Sequence, residues 1–505
     1  LDESARRLDK QQVGNRLFLG LFGIALIALL LLVMLAQAGI TVERSSHDLT
    51  IALPYLANSS MTLYRDLFTN HPPVLIGFLA LIYRFFEPIT TLRALNIAYI
   101  LFTASILFWT TKRLWGTAHG WGACLFYLLW SIPYNSLLLY LDGLVGMISA
   151  CILLLATYRR SSANMVAIGI LAGLGAVLKQ NALLILIFTL AWVLWEARAA
   201  RRSLWRLSIT PAAALFTFVL PYVVLWLAGV GDDALAALFN AGNSRWLFDL
   251  RANFLDGHAW RSVLVTLTPI PTFILISLRD LERRRFLVLL TLLFLATMVL
   301  NVPALGYYHF MAPLPVVALA AGVAFGEAWN FVLSNADGLV RHALFRQTQI
   351  AERMLLGGML GYGLVIAVFV FTPMLQFFVE RVYLIGWEEL EPVSAWIVTH
   401  TEADERILVL PTYDSNGNIY AQAGRLPPYF MKNWIHHASV PDNAERFQSR
   451  LEAQPPSVIV FFPDLYASVE TYFPRLNEMM ETEYTQVGMI DEVPFYGSVI
   501  FLRRQ

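Results

Sequence analysis

The chain has 505 residues, of which 57% are hydrophobic and only 14% charged, against about a quarter charged in a water-soluble globule. Its 36 Lys and Arg balance its 36 Asp and Glu, leaving no overall basic field to attract nucleic acid. A soluble enzyme and a nucleic-acid binder are thereby excluded. So is a disulfide framework or cysteine metal cluster, since Cys124 and Cys151 are the two cysteines and both lie in apolar runs.

The first apolar run, 17–38, exceeds the length of a signal-peptide core and lacks a small-residue cleavage site, so it reads as a retained span. Further spans follow near 94–111, 120–135, 143–158, 164–178, 182–196, 208–228, 262–278, 286–300, 306–325 and 355–377. The segment from Pro72 to Phe86 is shorter, opens on Pro72-Pro73 and carries Arg84. Hydropathy leaves its crossing undecided, and charge decides it. If this segment lies flat and the N-terminus is cytoplasmic, the clusters Arg6-Arg7, Lys112-Arg113, Arg159-Arg160, Arg201-Arg202 and Arg283-Arg284-Arg285 all fall inside, as the positive-inside rule requires. Letting it span would invert every later loop. The expectation is a polytopic α-helical membrane protein of about eleven transmembrane helices, with surface-lying helices in the first outer loop.

After the last span the composition turns mixed and polar. We divide the chain into a membrane domain, 1–378, and a small extracytoplasmic α/β domain, 379–505. In the latter, Ile407-Leu410, Ser457-Phe462, Thr485-Ile490 and Ser498-Leu502 read as strands. Helical patterns lie around Val393-Val398, Ala444-Ala453 and Leu465-Met480.

A charged residue at membrane depth costs about 2.5–3.5 kcal/mol, so those retained beside spans call for a role. They gather on the outer side: His47-Asp48, Tyr64-Arg65-Asp66, His71-Pro72-Pro73, Tyr140-Leu141-Asp142, Lys179-Gln180-Asn181 and Tyr307-Tyr308-His309. Structural roles stand beside functional ones. Asp48 and Asp142 could cap helices, Arg65, Arg84 and Arg93 could anchor the interface, His71 could fix a turn, and Tyr307 and Tyr308 could belong to an aromatic belt. Lys179 is harder to explain that way, because it is the lone cation of an outer turn. As a set, these groups suit a displacement in which a carboxylate takes a proton from an acceptor while cations stabilise a departing phosphate. The polar loop from Gly231 to His258 reads either as a lid over that site or as an ordinary solvated loop.

At these residues the chain resembles the GT-C superfamily of membrane glycosyltransferases, in particular its protein O-mannosyltransferase and lipid A aminoarabinose transferase branch. The resemblance rests on order and spacing: Asp48, Tyr64-x-Asp66, His71-Pro72-Pro73, Arg93, Asp142, Gly169-x-x-x-Gly173-Leu174 leading to Leu178-Lys179-Gln180, and Tyr307-Tyr308-His309 before Pro313 and Pro315. It implies inverting transfer of a hexose or pentose from a polyprenyl-phosphate-linked donor, at the outer face of a bacterial plasma (inner) membrane. It further implies Asp48 as general base and Asp142 as a second active-site acid, orienting the acceptor or a metal. Lys179, Arg93 and Tyr308 are implied donor-phosphate ligands, and Tyr64, Asp66, His71, Tyr307 and His309 complete the substrate-binding set. A divalent metal at Asp48, Asp142 or His71 stays open, because His47-Asp48 stands where some branches have paired acids; no other cofactor is implied.

The acceptor is left open among a glycolipid, a protein, a cell-wall polymer and a terpenoid. Two other functions also stay open: a lipid-linked sugar transporter or flippase, against which stand the one-sided polar cluster and the absence of an inverted repeat, and a non-catalytic scaffold subunit of the same fold. In the tail, Tyr420-x-x-x-Gly424-Arg425-x-Pro427-Pro428-Tyr429 resembles a segment of bacterial relatives and reads as a rigid turn or an acceptor contact.

Overall fold

A computed structural model of the chain describes residues 48–131, 139–158, 161–179, 182–199, 204–239, 274, 281–299, 309–327, 387–412, 416–431, 441–463, 473–493 and 497–505. The expected spans at 17–38 and 355–377, and nearly all of 262–278, lie outside the described residues.

Helices build the first part: α1 (Ala52–Ala57), α2 (Pro73–Tyr83), α3 (Pro88–Trp115), α4 (Thr117–Ser131), α5 (Leu141–Ala156), α6 (Ser162–Leu178), α7 (Leu183–Ala199), α8 (Leu204–Leu227), α9 (Gly231–Phe239), α10 (Leu281–Val299) and α11 (Leu314–Glu327). A short strand, β1 (Leu67–Phe68), lies between α1 and α2. Helices α3 to α8, α10 and α11 coincide with expected spans. Among the described residues, two helices, Pro88–Trp115 and Ser208–Leu227, are long and apolar enough by themselves to cross a membrane.

The 28 residues of α3 rise about 42 Å, more than the hydrocarbon thickness of about 30 Å. Glu87 starts this helix by accepting the N–H groups of Ile89 at 2.9 Å and Thr90 at 2.6 Å. Partial burial alone would raise the Glu87 carboxyl, but these bonds outweigh it and hold the group below the usual range. The 11 residues of α2, by contrast, reach only about 16 Å. One side of α2 buries Leu75, Ile76 and Leu79, whereas Phe78, Leu81 and the following Phe85 and Phe86 are exposed. Its end is tied to the preceding loop, where the Tyr83 hydroxyl donates to Thr50 O at 2.7 Å and Arg84 Nε to Asn58 Oδ1 at 3.0 Å.

Small residues set a close contact between α6 and α8. A Cβ placed on Gly169 or Gly173 of α6 would collide with the carbonyl oxygens of Thr210 and Ala214 on α8. The Gly-x-x-x-Gly pattern is therefore a packing seam of the kind that joins helices where no hydrophobic driving force separates lipid from side chain. At the C-terminal ends of α3 and α5, Arg113 Nε donates to Thr157 O at 3.1 Å and its guanidinium lies 4.1 Å from the Tyr158 ring centre. A cation there faces the negative end of the α5 dipole.

The C-terminal part contains α12 (Glu391–His400), β2 (Ile407–Leu410), α13 (Ile419–Ala423), β3 (Phe430–Met431), α14 (Pro441–Ala453), β4 (Val458–Phe461), α15 (Pro474–Glu483), β5 (Tyr484–Val493) and β6 (Gly497–Arg504). Strands run in the order β2-β4-β6-β5, with β2 and β4 parallel and the remaining pairs antiparallel. All four fall where the apolar runs predict strands.

Both faces of this sheet are covered. Ile407, Val409, Val458 and Val460 join the large core that continues into the helical bundle, while Leu408, Leu410, Ile459 and Phe461 pack with Tyr64, Phe68, Leu238 and Phe447. Burial on both sides explains why Ile407-Leu-Val-Leu410 and Val458-Ile-Val-Phe461 are unbroken apolar runs and not alternating ones. The segment is also stitched to the first loop. β1 pairs in parallel with β3, Leu67 opposite Phe430 and Phe68 opposite Met431.

Candidate active site

Asp142 lies in the first turn of α5 and Lys179 at the C-cap of α6. Lys179 Nζ donates to Asp142 Oδ1 at 2.6 Å; the Asp142 side chain is 1% exposed and that of Lys179 17%. Each charge sits at the helix end that favours it, the carboxylate at a positive N-terminus and the ammonium at a negative C-terminus. Asp142 is not a helix cap here, since the N-cap is Tyr140 and makes no side-chain capping bond.

Two other elements converge on the same end of α5. A Cβ on Gly143 would lie 3.0 Å from the Tyr99 hydroxyl of α3, and one on Gly146 would lie 2.6 Å from Met311 O. Residues 142 and 146 are one helical turn apart and share a face, so the turn His309–Met311 packs one turn along from Asp142. Tyr99 belongs to a row on α3 formed with Arg93 and Asn96 at a spacing of three, and Asn96 is buried. Arg93 stands about 9 Å further along the axis than Tyr99. The end carrying Arg113 and Tyr158 is separated from Asp142 by the length of α5, about 22 Å. Tyr307 and Tyr308 lie outside the described residues.

Asp48 is fully buried. Its carbonyl accepts the Leu53 N–H at 2.8 Å, but the helix that follows is capped at Ile51 without a side-chain bond, so its carboxylate is not a helix cap either. That carboxylate meets the C-terminal segment: a Cβ on Gly417 would fall 2.7 Å from Oδ1 and 2.9 Å from both Cγ and Oδ2.

The remaining first-loop residues are engaged in joining the two parts of the chain. Tyr64 is buried in the left-handed region at φ 68, and its hydroxyl donates to His71 O at 2.8 Å. That conformation is costly for a bulky residue, and the enclosed ring and its bond hold it. Burial pushes the Tyr64 phenol well above its ordinary range, with Tyr222 adding to the effect. Asp66 accepts the Thr62 N–H at 2.9 Å through Oδ2 and pairs with Arg450 of α14 at 3.2 Å through Oδ1. Arg65 and Arg446 each approach Asp233 of α9 at 3.3 Å. The start of the polar loop at Gly231 is thus a helix that buttresses this junction.

The Tyr420–Tyr429 segment is held by its own turn and by buried hydrogen bonds. Gly424 closes α13 at φ 65, a conformation natural to glycine. Arg425 is buried and donates to Thr401 Oγ1 at 2.9 Å, Thr401 O at 2.7 Å and Ala423 O at 3.1 Å. Asn416, Gly417 and Asn418 were not legible as site residues, since Asn-Gly-Asn in sequence signals only a turn.

A divalent cation needs several oxygen or nitrogen ligands around one point. Among the described residues no three His, Cys, Asp or Glu side chains converge in that way, and the Asp142 carboxylate faces an ammonium. The metal left open at Asp48, Asp142 or His71 therefore finds no fitting donor set among them.

No protein-family model and no curated protein sequence matches the chain. Solved structures do. The chain is similar to ArnT from Cupriavidus metallidurans bound to undecaprenyl phosphate, with a TM-score of 0.59 and 14% identity over 94% of this chain and 97% of that one. It is similar to the archaeal oligosaccharyltransferase AglB from Archaeoglobus fulgidus in complex with an inhibitory peptide and a dolichol-phosphate, with a TM-score of 0.54 and 11% identity over 95% of this chain and 74% of that one. The Archaeoglobus fulgidus oligosaccharyltransferase in complex with Zn and sulfate matches at a TM-score of 0.51 and 12% identity, over 93% and 72% of the two chains. At such identities the likeness is one of fold: the chain shares its overall fold with ArnT and with the archaeal oligosaccharyltransferase.

Proposed function

We propose that the chain is an inverting glycosyltransferase that moves a sugar from a polyprenyl-phosphate-linked donor to an acceptor at the outer face of a bacterial inner membrane. Its organisation in this reading is a membrane domain, 1–378, and an extracytoplasmic α/β domain, 379–505, with about eleven spans in all. The observation that carries the reading is the buried Asp142–Lys179 pair at 2.6 Å, in a chain that shares its fold with ArnT bound to undecaprenyl phosphate and AglB in complex with dolichol-phosphate.

The chemistry is one displacement at the anomeric carbon. The acceptor nucleophile gives its proton to the Asp48 carboxylate and forms the new bond from the face opposite the leaving group. The bond from the anomeric carbon to the phosphate oxygen breaks, and its electron pair leaves with the polyprenyl phosphate. Lys179 and Arg93 stabilise the charge that grows on that phosphate. An ammonium donates in three directions, so contact with Asp142 is compatible with a phosphate oxygen as a further acceptor. Asp142 orients the ammonium. Tyr308, Tyr307, His309 and His71 complete the donor and acceptor pocket, while Tyr64 and Asp66 hold the loop that carries His71.

The test uses the full chain in nanodiscs with a panel of radiolabelled undecaprenyl-phosphate hexoses and pentoses and a total membrane extract as acceptor source. Asp48→Asn is expected to abolish transfer while undecaprenyl phosphate still binds within about threefold of the parent. Lys179→Met is expected to weaken that binding at least tenfold. Undiminished transfer by Asp48→Asn would remove the base assignment. Translocation of the labelled lipid without product would replace the reading with a flippase.

A further inference from the structure

The contact between Asp48 and Gly417 joins parts of the chain that are far apart in sequence, and it has the character of a fitted surface. Gly417 is not among the glycines with positive φ, so its backbone would accept any residue and the requirement for glycine is one of space. A Cβ there would be nearly equidistant from Oδ1, Cγ and Oδ2, at 2.7, 2.9 and 2.9 Å. Equal distances place it over the plane of the carboxylate. Hydrogen bonds and protons reach a carboxylate close to that plane, so Gly417 covers the flat face and leaves the accepting edges to other groups.

The neighbouring residue fixes the backbone that bears Asp48. Asn418 Oδ1 accepts the Ala52 N–H at 3.1 Å in a buried bond spanning 366 positions. Ala52 opens α1, and the first N–H groups of a helix have no partner within it. Because Asp48 O accepts the Leu53 N–H, the same turn fixes the base of the Asp48 side chain. The Asn416–Asn418 turn is itself held firmly: Asn416 and Asn418 are fully buried, and Asn416 Nδ2 donates to Pro411 O at 2.8 Å. Further along, the buried phenol of Tyr420 is pushed upward by burial and also by the Asp48 charge.

We propose that Gly417 and Asn418 are positioning residues for the Asp48 carboxylate, so that the C-terminal segment forms one wall of the catalytic pocket. Gly417 sets the room available to the carboxylate, and Asn418 sets the backbone from which it projects. The acceptor must approach a carboxylate edge, and its path therefore runs along the seam between the C-terminal segment and the helical bundle. This inference rests on the reading of Asp48 as the base.

The experiment compares Gly417→Ala, Asn418→Ala, Asn418→Asp and, as a control, Gly77→Ala, where an added Cβ meets nothing within 4 Å. Rates are read as release of undecaprenyl phosphate from the labelled donor panel across pH, with thermal unfolding recorded for each variant. Gly417→Ala is expected to lower kcat about 10- to 100-fold, the order of loss that a misplaced catalytic group produces, while donor KM changes less than twofold. Its pH profile is expected to differ from the parent's, because a methyl pressed against the carboxylate alters its surroundings. Asn418→Ala is expected to lower kcat likewise, with partial recovery in Asn418→Asp, which keeps the acceptor for Ala52. Gly77→Ala is expected to match the parent.

Parent-like kcat and pH profiles in a folded Gly417→Ala or Asn418→Ala overturn the proposal. Should Gly417→Ala yield no folded protein, Asn418→Ala carries the same test. The two levels separate cleanly. Full transfer by Asp48→Asn overturns the base assignment and this inference together, whereas an inactive Asp48→Asn beside unaffected Gly417 and Asn418 variants overturns this inference alone.

Discussion

Lys179 reaches Asp142 at 2.6 Å across 37 positions of sequence, joining the end of one helix to the start of its neighbour. The two partners are not equally dependent on each other. Asp142 is almost completely enclosed, whereas the Lys179 side chain keeps 17% exposure and has a stem long enough to turn its charge toward water.

Lys179→Met is therefore expected to cost about 3–5 kcal/mol, the range for breaking a buried ion pair from one side. Asp142→Asn should cost less, roughly 1–3 kcal/mol, since the lysine can relax. The double variant Asp142→Asn/Lys179→Met should be less destabilised than the sum of the two. A thermal-unfolding double-mutant cycle in detergent measures this, and additivity within about 0.5 kcal/mol would show that the charges are uncoupled.

The seam between α6 and α8 gives a second expectation. Gly169→Ala puts a methyl against the Thr210 carbonyl, a backbone atom that cannot swing aside, and overpacking of this kind costs about 1–3 kcal/mol. The check is the unfolding midpoint in detergent, with Gly77→Ala expected to stay within about 0.5 kcal/mol of the parent.

Tyr420 tests the edge of the C-terminal sheet. Its hydroxyl accepts the Val409 N–H at 2.8 Å on the side of β2 away from β4, and both residues are buried. Tyr420→Phe leaves that N–H without its acceptor, at an expected cost of about 1–3 kcal/mol. Faster amide exchange at Val409 than at Leu410 would locate the loss; equal protection in variant and parent would refute it.

Apolar packing, more than charge, is expected to hold the C-terminal segment on the first loop. The pairs Arg446–Asp233 and Arg450–Asp66 have arginines 38% and 41% exposed, and exposed pairs contribute about 1 kcal/mol or less. Phe447 is 2% exposed and contacts Tyr429 and Phe473 edge-on. Phe447→Ala should cost about 3–5 kcal/mol and speed proteolytic release of the segment, while Asp233→Asn should change either quantity little. The reverse order would make the ionic junction the principal tie.

The amino-acid sequence already showed what depends on neighbours along the chain. The runs Ile407–Leu410 and Val458–Phe461 announced strands because β structure buried on both faces needs unbroken apolar residues. The short apolar length of Pro73–Tyr83 announced a helix too short to cross a membrane by itself. Asp142 and Lys179 were visible as polar residues retained beside apolar runs, where their cost demands a role. The glycine and prolines between Tyr420 and Tyr429 also announced a turn, and Gly424 makes one.

What waited for the tertiary structure was every relation between distant positions. Asp66 reads in sequence as one of the substrate-binding residues that the resemblance implies, and only the fold brings Arg450 of α14 to it. Asn416-Gly417-Asn418 reads as a turn until it closes on Asp48. Periodicity and composition report which face of an element is apolar, because that is a local property of the backbone repeat. Which two faces meet, and which carboxylate ends beside which glycine or lysine, is decided only when the whole chain packs at close to crystal density and each contact excludes its alternatives.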